Sequence, residues 1–205
     1  MPSPFVTAWQ KALQVKGFRI KCLISVVLLA ICAVVSPIIF QFIQQREGYV
    51  LNDVVLTWFP SLNLSSYIFI LLYLLIVSAV ISLSHYPHAL MNAIQAYVIL
   101  TIFRFITLLL VPLNPPVGII ELTDPLVDYL FYQQSITKDL FFSGHTSLIF
   151  LLAFSTPPGV LRRILFLGTI PLATMLLLQH AHYTIDIIAA PVFAWLVSLL
   201  AKRIP

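Results

Sequence analysis

Residues 22–42 read CLISVVLLAICAVVSPIIFQF and contain no charged side chain. A helix needs about 20 mostly apolar residues to cross the hydrocarbon core of a bilayer, and this run has that length. The whole chain has the same character, since 60% of its 205 residues are hydrophobic and 9% are charged, whereas a soluble domain carries about 25% charged residues. Together with a mean hydropathy of +1.03, this composition excludes a soluble globular protein and a disordered one.

The apolar runs predict an all-α, polytopic membrane protein built as a bundle of six transmembrane helices. The predicted spans are Cys22–Phe42, Tyr67–Leu83, Ala93–Val111, Phe142–Phe154, Ile164–Leu178 and Tyr183–Leu200, of which the fourth is the shortest. Ahead of them, Phe5–Lys21 is predicted to form a helix on the membrane surface. The predicted organisation is an interfacial segment at residues 1–21, a six-helix membrane domain at 22–201 and a tail at 202–205.

The charged residues predict the orientation of these spans. Six spans place eight of the eleven cations on one side: Lys11, Lys16, Arg19, Lys21, Arg162, Arg163, Lys202 and Arg203. The positive-inside rule predicts that this side is cytoplasmic and that both termini lie there. The same rule accounts for the net charge of +4, so no nucleic-acid partner is predicted. Most acids fall in the first two loops of the opposite side, which indicates a functional surface there: Glu47, Asp53, Glu121, Asp124, Asp128 and Asp139.

A group of histidine and aspartate residues is predicted at the outer ends of two helices. His145 enters the fourth span and His182 enters the sixth, one helical hairpin later, so the chain returns both to the same face. His182 and Asp186 are spaced i, i+4, which places them one above the other on a helix. A carboxylate that is hydrogen-bonded to one nitrogen of an imidazole ring fixes the tautomer of the ring and leaves the other nitrogen nucleophilic. The three side chains therefore predict nucleophilic catalysis by imidazole.

The residues around His145 are suited to bind an anion. Ser143 and Gly144 precede the predicted helix, whose first N–H groups and positive dipole end bind phosphate oxygens. Arg104 lies inside a span, where an unpaired cation costs several kcal/mol. We therefore expect it to point into the bundle and to contact a phosphate or an acid such as Asp139 or Asp186.

The remaining histidines and the two cysteines predict no metal site and no cofactor. His180 lies two residues before His182 and is expected to point elsewhere, and a His-x-His pair alone lacks the further ligands that a metal needs. The cysteines Cys22 and Cys32 lie in one apolar run and form neither a disulfide framework nor a zinc site. The other two histidines, His85 and His88, are predicted to be solvated residues of a cytoplasmic turn.

Four segments of the chain, from about residue 50 to its end, resemble the motifs of the sphingomyelin synthases. Residues 139–146, DLFFSGHT, are similar to the third motif of that family, and residues 180–186, HAHYTID, to its fourth. Residues 103–107, FRFIT, followed by PLNPPVG at 112–118, resemble the second, and Asp53 with Pro60 resembles the first. The sphingomyelin synthases belong to the wider type 2 phosphatidic acid phosphatase superfamily of membrane phosphatases and phosphotransferases.

The resemblance implies a role for each residue of these motifs. His182 would attack phosphorus and become a phosphohistidine, Asp186 would orient it, and His145 would protonate the departing lipid oxygen and later act as base. The residues that would bind substrate are Arg104, Asp139, Ser143, Gly144, Thr146 and Tyr183. The family fold implied is a six-helix bundle with its site at the outer leaflet.

The sequence leaves the reaction partners open. Leu176 stands where lipid phosphatases carry an arginine six residues before the nucleophile, and a Lys-rich first motif is missing. Because so few cations remain, a singly charged diester headgroup, phosphocholine or phosphoethanolamine, is favoured over a phosphomonoester. The acceptor could be ceramide, another lipid alcohol or water, and a non-catalytic lipid-binding or scrambling bundle is the alternative outside enzymes. Membrane lipids are the predicted partners. The sequence fits either a monomer or a homo-oligomer.

Overall fold

The fold is described by a computed structural model that covers residues 3–124 and 136–204. Asp128, one of the acids predicted to face outward, lies outside these residues. Within them the chain is helical and contains no strand apart from one isolated bridge between Tyr49 and Leu113. The helices are α1 (Pro4–Gln14), α2 (Lys16–Gln45), α3 (Ser65–Ser84), α4 (Pro87–Leu110), α5 (Gly144–Ser155), α6 (Val160–Leu178) and α7 (Thr184–Ala201), with a 3₁₀ turn at Leu56–Trp58.

Five of these helices, α2, α3, α4, α6 and α7, are long and apolar enough to cross a membrane. Their outward faces expose large apolar side chains, such as Leu23, Val34 and Leu74, each about two-thirds exposed. Apolar surface of this extent needs lipid around it. The prediction of a multi-pass integral membrane protein with an all-α fold is therefore supported.

The helix that corresponds to the fourth predicted span is shorter than the others. α5 has 12 residues, which gives it a length of about 18 Å, less than the roughly 30 Å of a hydrocarbon core. It ends at Ser155, ahead of Pro157 and Pro158, and prolines commonly follow a helix end because they cannot continue it. The count of six transmembrane helices thus stays a prediction.

The predicted surface helix at Phe5–Lys21 is wrong in its bounds, because two helices share this segment. Val15 separates α1 from α2 with an extended backbone, φ −80° and ψ 117°. α1 then folds back onto the bundle, where the Trp9 indole N–H donates to the carbonyl of Ser84 at 2.8 Å. The membrane helix α2 begins at Lys16, so the 1–21 segment is not a single unit.

The short helix α5 occupies the centre of the bundle and positions the site. It contacts α3, α4, α6 and α7, and its side chains Ile149, Leu151 and Ala153 are completely buried. Central burial fixes the direction of its first turn, which carries Gly144 and His145. The start of α7 reaches the same end of the bundle, because α6 and α7 are joined by a short turn at residues 179–183.

Candidate active site

His182 and Asp186 are paired at the start of α7. The His182 Nδ1 atom lies 3.3 Å from Asp186 Oδ2, and both side chains are almost completely buried. The predicted reason for the pairing is wrong, however, because His182 precedes the helix and Tyr183 is its N-cap. Asp186 is the third residue of α7, and its Oδ2 also accepts the Tyr183 backbone N–H at 3.0 Å. The carboxylate therefore both caps the helix and holds the imidazole through Nδ1, which directs Nε2 away from it.

His145 and His182 come together as the helical hairpin predicted. His145 is the second residue of α5, and the centroids of the two rings are 6.2 Å apart with an angle of 66° between the ring planes. The other side of His145 meets the edge of Phe69 on α3, at 5.9 Å between centroids. Two imidazoles at this separation can flank a small group, one as the attacking base and one as a proton donor.

Arg104 points into the bundle, as predicted, and of the partners expected for it, a phosphate or an acid such as Asp139 or Asp186, the structure shows an ion pair with Asp139. Its Nη1 also donates to the carbonyl of Phe142 at 3.0 Å, and the residue is 9% exposed. Gly144 lies directly against the guanidinium group, where an added Cβ would overlap it. The pair anchors the loop before α5 and places a cation beside the first turn that carries His145.

The first turn of α5 presents polar atoms that the protein itself leaves without partners. Ser143 Oγ, His145 Nδ1 and Thr146 Oγ1 are buried and accept or donate no hydrogen bond within the described ranges. The Ser143 backbone N–H donates to the Asp186 carbonyl at 3.1 Å, which ties this turn to α7. Buried polar groups normally have partners, so such a cluster at a helix N-terminus indicates a place where an anionic ligand would supply them.

Tyr183 is buried, and its hydroxyl group joins two loops. The hydroxyl donates to the Asn114 carbonyl at 2.9 Å and accepts the Leu51 backbone N–H at 3.1 Å. Burial raises the pKa of the Tyr183 phenol above its usual value. Its hydrogen bonds give Tyr183 a part in holding the loops beside His182, and its predicted contact with substrate stays a prediction.

His180 points away from the pair, as predicted, but for a different reason. It lies in the turn before α7 with φ 52°, outside any helix. Its Nδ1 is 3.0 Å from the Val117 carbonyl, and its ring meets the edge of Phe59. It therefore fixes the 112–118 segment onto the turn that carries His182.

Several other predicted residues have partners in the loops. Lys138 Nζ donates to the Arg46 carbonyl, so this cation is used within the loops. Asp124 accepts hydrogen bonds from the Tyr73 hydroxyl, at 2.7 Å and 2.8 Å to its two oxygens. Asp53 accepts hydrogen bonds from the Thr184 backbone N–H at 2.6 Å and from the Thr184 hydroxyl at 3.0 Å, and thus caps α7 from the loop between α2 and α3.

Gln179 is a residue that sequence reasoning missed. It is completely buried in the α6–α7 turn, and its Oε1 accepts the Leu64 backbone N–H at 2.9 Å. Its Nε2 donates to Ser65 Oγ at 2.7 Å and faces the carbonyls of Ile120 and Glu121 at 3.2 Å. One amide thus links three segments around the site, and no spacing or motif in the sequence signals it.

The polar groups of the site are suited to an anionic ligand. In the two described ranges, no group of three or more His, Cys, Asp or Glu residues is arranged to hold a metal ion. The polar atoms at the start of α5 and the cation of Arg104 instead suit phosphate oxygens.

Comparison with known families agrees with this chemistry. Residues 138–203, about a third of the chain, match the family model described as PAP2 superfamily C-terminal. The match includes His145, His182 and Asp186, and Arg104 lies outside it. It supports the type 2 phosphatidic acid phosphatase superfamily, whose members are phosphatases and phosphotransferases, and so supports an enzyme of lipid phosphoesters. No curated protein matched the chain.

Proposed function

We propose that the protein is a lipid phosphotransferase of the sphingomyelin synthase type. It would move phosphocholine or phosphoethanolamine from a glycerophospholipid to ceramide or another lipid alcohol, through a phosphohistidine at His182. The observation that carries the proposal is the meeting of His182, held at Nδ1 by Asp186, with His145 across a ring-centroid distance of 6.2 Å. One imidazole is arranged to attack and the other to exchange a proton.

In the first step, Nε2 of His182 attacks the phosphorus of the donor lipid. A bond forms between this nitrogen and phosphorus, and the bond from phosphorus to the glycerol oxygen breaks. His145, protonated at this stage, gives its proton to that oxygen, so diacylglycerol leaves as a neutral alcohol. Proton donation of this kind contributes roughly 10²–10⁴ in rate.

In the second step, the acceptor alcohol takes the place of the departed diacylglycerol. His145, now neutral, removes the hydroxyl proton while the acceptor oxygen attacks phosphorus. The bond between phosphorus and His182 breaks, which restores the imidazole, and His145 is again protonated. Asp186 stabilises the charge on His182 through Nδ1 and keeps its tautomer fixed.

The supply of positive charge favours a diester donor. Arg104 forms an ion pair with Asp139, and Lys138 donates a hydrogen bond to the Arg46 carbonyl. A phosphodiester carries one negative charge and a phosphomonoester nearly two, so the arrangement is better matched to the diester. The unpartnered hydroxyls of Ser143 and Thr146 would donate to its phosphate oxygens.

Hydrolysis is the second candidate, with water as the acceptor. The family match favours it, because the superfamily includes phosphatases as well as phosphotransferases. In either case we place the site at the outer face, because the eight cations of the predicted cytoplasmic segments lie toward the other end of the bundle.

The test is incubation of purified protein with labelled phosphatidylcholine, phosphatidylethanolamine and phosphatidate, each with and without ceramide or diacylglycerol. Lipid analysis should show a new headgroup-bearing lipid from the diester donors only when an acceptor is added, and none with His182→Ala. Release of soluble headgroup without acceptor would assign the hydrolase instead. Preferred turnover of phosphatidate, or no turnover of any donor, would contradict the proposal.

A further inference from the structure

A second cavity lies at the opposite end of the bundle from the two histidines. Its volume is about 240 Å³, and it opens between α4, the end of α5, the start of α6 and the end of α7. The residues that matter to its chemistry are Asn92, Arg162 and Lys202 at its polar side and Ala96, Phe154 and Ala201 at its apolar side. It holds far more than the roughly 10–15 Å³ that one water requires. We call it the cationic-end cavity.

Three polar side chains of the cationic-end cavity have no hydrogen-bond or ion-pair partner among the described residues. Asn92, Arg162 and Lys202 form no side-chain hydrogen bond or ion pair with any described residue; Arg162 only passes over the Phe166 ring, at 5.8 Å. The hydroxyl groups in the lining do have partners, because each donates to a carbonyl of its own helix, as Ser198 does to Trp195 at 2.7 Å. A half-buried guanidinium group normally has an anionic or carbonyl partner, because desolvation of an unpaired charge is costly.

The segments that form this end of the bundle contain no Asp or Glu. None of the seven acids of the chain falls in the segments that form this end, residues 84–96, 154–162 and 198–204. On α7, Asp186 and Lys202 are separated by about 24 Å along the helix axis, from 16 residues at 1.5 Å each. No carboxylate side chain is therefore placed to pair with Arg162 or Lys202, and an anion bound from outside can fill this role.

The shape of the lining favours a lipid as the source of that anion. Lys202 is exposed at the rim and Arg162 is half-buried, whereas Ala96 and Ala201 behind them are almost completely buried. A cationic rim over an apolar floor matches a phosphate group followed by the start of acyl chains. A soluble phosphate would occupy only the polar side of the cavity, whereas a lipid would also fill the side formed by Ala96, Phe154 and Ala201.

We infer that the cationic-end cavity binds the phosphate headgroup of an anionic phospholipid from the leaflet on that side. The site is separate from the histidine pair and needs no turnover, so it is independent of the proposed reaction. Arg162 and Lys202 bind the phosphate oxygens, and Asn92 donates its amide to them or to the glycerol part.

The experiment follows the melting temperature of the purified full chain in neutral detergent during titration with phosphatidylglycerol or with phosphatidylcholine. Phosphatidylglycerol should raise the melting temperature. The lipid concentration at the midpoint of this rise should be at least tenfold lower for phosphatidylglycerol than for phosphatidylcholine. Arg162→Gln with Lys202→Gln should raise this midpoint about 30-fold, since each lost cation contact is worth about fivefold. Should the double variant not fold, Arg162→Gln alone should raise it about fivefold.

The matched control is Lys16→Gln with Arg19→Gln, which removes the same charge from α2, away from the cavity. Its midpoint should change less than threefold. Equal shifts in the two double variants would mean general surface attraction, and an unchanged midpoint in Arg162→Gln with Lys202→Gln would mean binding elsewhere; both overturn the inference. Glycerol 3-phosphate in tenfold excess should not displace the lipid, and complete displacement would overturn the choice of a lipid occupant.

Discussion

Replacing Gly144 with alanine should disable the proposed chemistry without unfolding the bundle. A Cβ at this position would overlap the guanidinium group of Arg104. That group cannot move aside freely, because it is ion-paired with Asp139 and bonded to the Phe142 carbonyl at 3.0 Å. The substitution therefore forces the loss of at least one of these contacts, or shifts the first turn of α5 together with His145.

The expected size of the effect follows from those contacts. A hydrogen bond to a charged group is worth about 1.5–3 kcal/mol, and about 1.4 kcal/mol corresponds to a factor of ten. Gly144→Ala should thus lower kcat/KM for headgroup transfer about 10- to 150-fold. The cost in stability should be smaller, because the displaced side chain is polar and lies at the site end of the bundle.

The assay is the initial rate of headgroup transfer from a fluorescent phosphatidylcholine to ceramide in detergent micelles, with the melting temperature measured alongside. Gly17→Ala is the matched control, because nothing lies within 4 Å of the Cβ it would add. It should keep the wild-type rate. In an Arg104→Ala background, adding Gly144→Ala should lower the rate by less than about twofold, because the guanidinium group that the new Cβ would overlap is absent. Near-normal activity of Gly144→Ala, or an undiminished cost in that background, would refute the reasoning.

Three further predictions test the charge, the orientation and the division of labour. Arg104→Lys keeps the charge but loses the planar fork, so activity should fall at least about tenfold in the same assay, and a near-normal rate would reject the role of the guanidinium. In a chain without its native cysteines, Val117→Cys should react with an impermeant thiol reagent on intact cells and Val160→Cys should not; both positions are well exposed, and the reverse pattern would move the site to the cytoplasmic face. With a p-nitrophenyl phosphoester, which needs no proton on its leaving group, His145→Ala should recover part of its first-step rate and His182→Ala none, whereas equal recovery would show that the roles are misassigned.

Most of the helical architecture could be predicted from the sequence, because apolar runs of sufficient length leave little choice of structure in a bilayer. The break at Val15 could not, since neither proline nor glycine occupies the position. It depends on packing, in which Ala12, Phe18 and Met91 form one buried cluster. Such a tertiary contact leaves no periodic signal in the sequence.

The sequence predicts which residues come together at the site better than it predicts how they are arranged. The hairpin spacing correctly brought His145 to His182, and the cost of a buried cation correctly predicted the Arg104 ion pair. The helix boundary at Thr184 could not be fixed from sequence, so the pairing of His182 with Asp186 was assigned to a helix face instead of to an N-cap. The linking amide of Gln179 escaped notice because its partners come from segments distant in the chain.

Trapping the covalent intermediate tests the central claim most directly. His145→Ala should accept the headgroup from p-nitrophenyl phosphorylcholine but transfer it onward slowly, because the base for the second step is gone. After rapid denaturation at alkaline pH, peptide mass spectrometry should find phosphorylcholine on His182, and the adduct should be absent when His182 is also replaced by alanine. An adduct on any other residue, or one that persists without His182, would contradict the account.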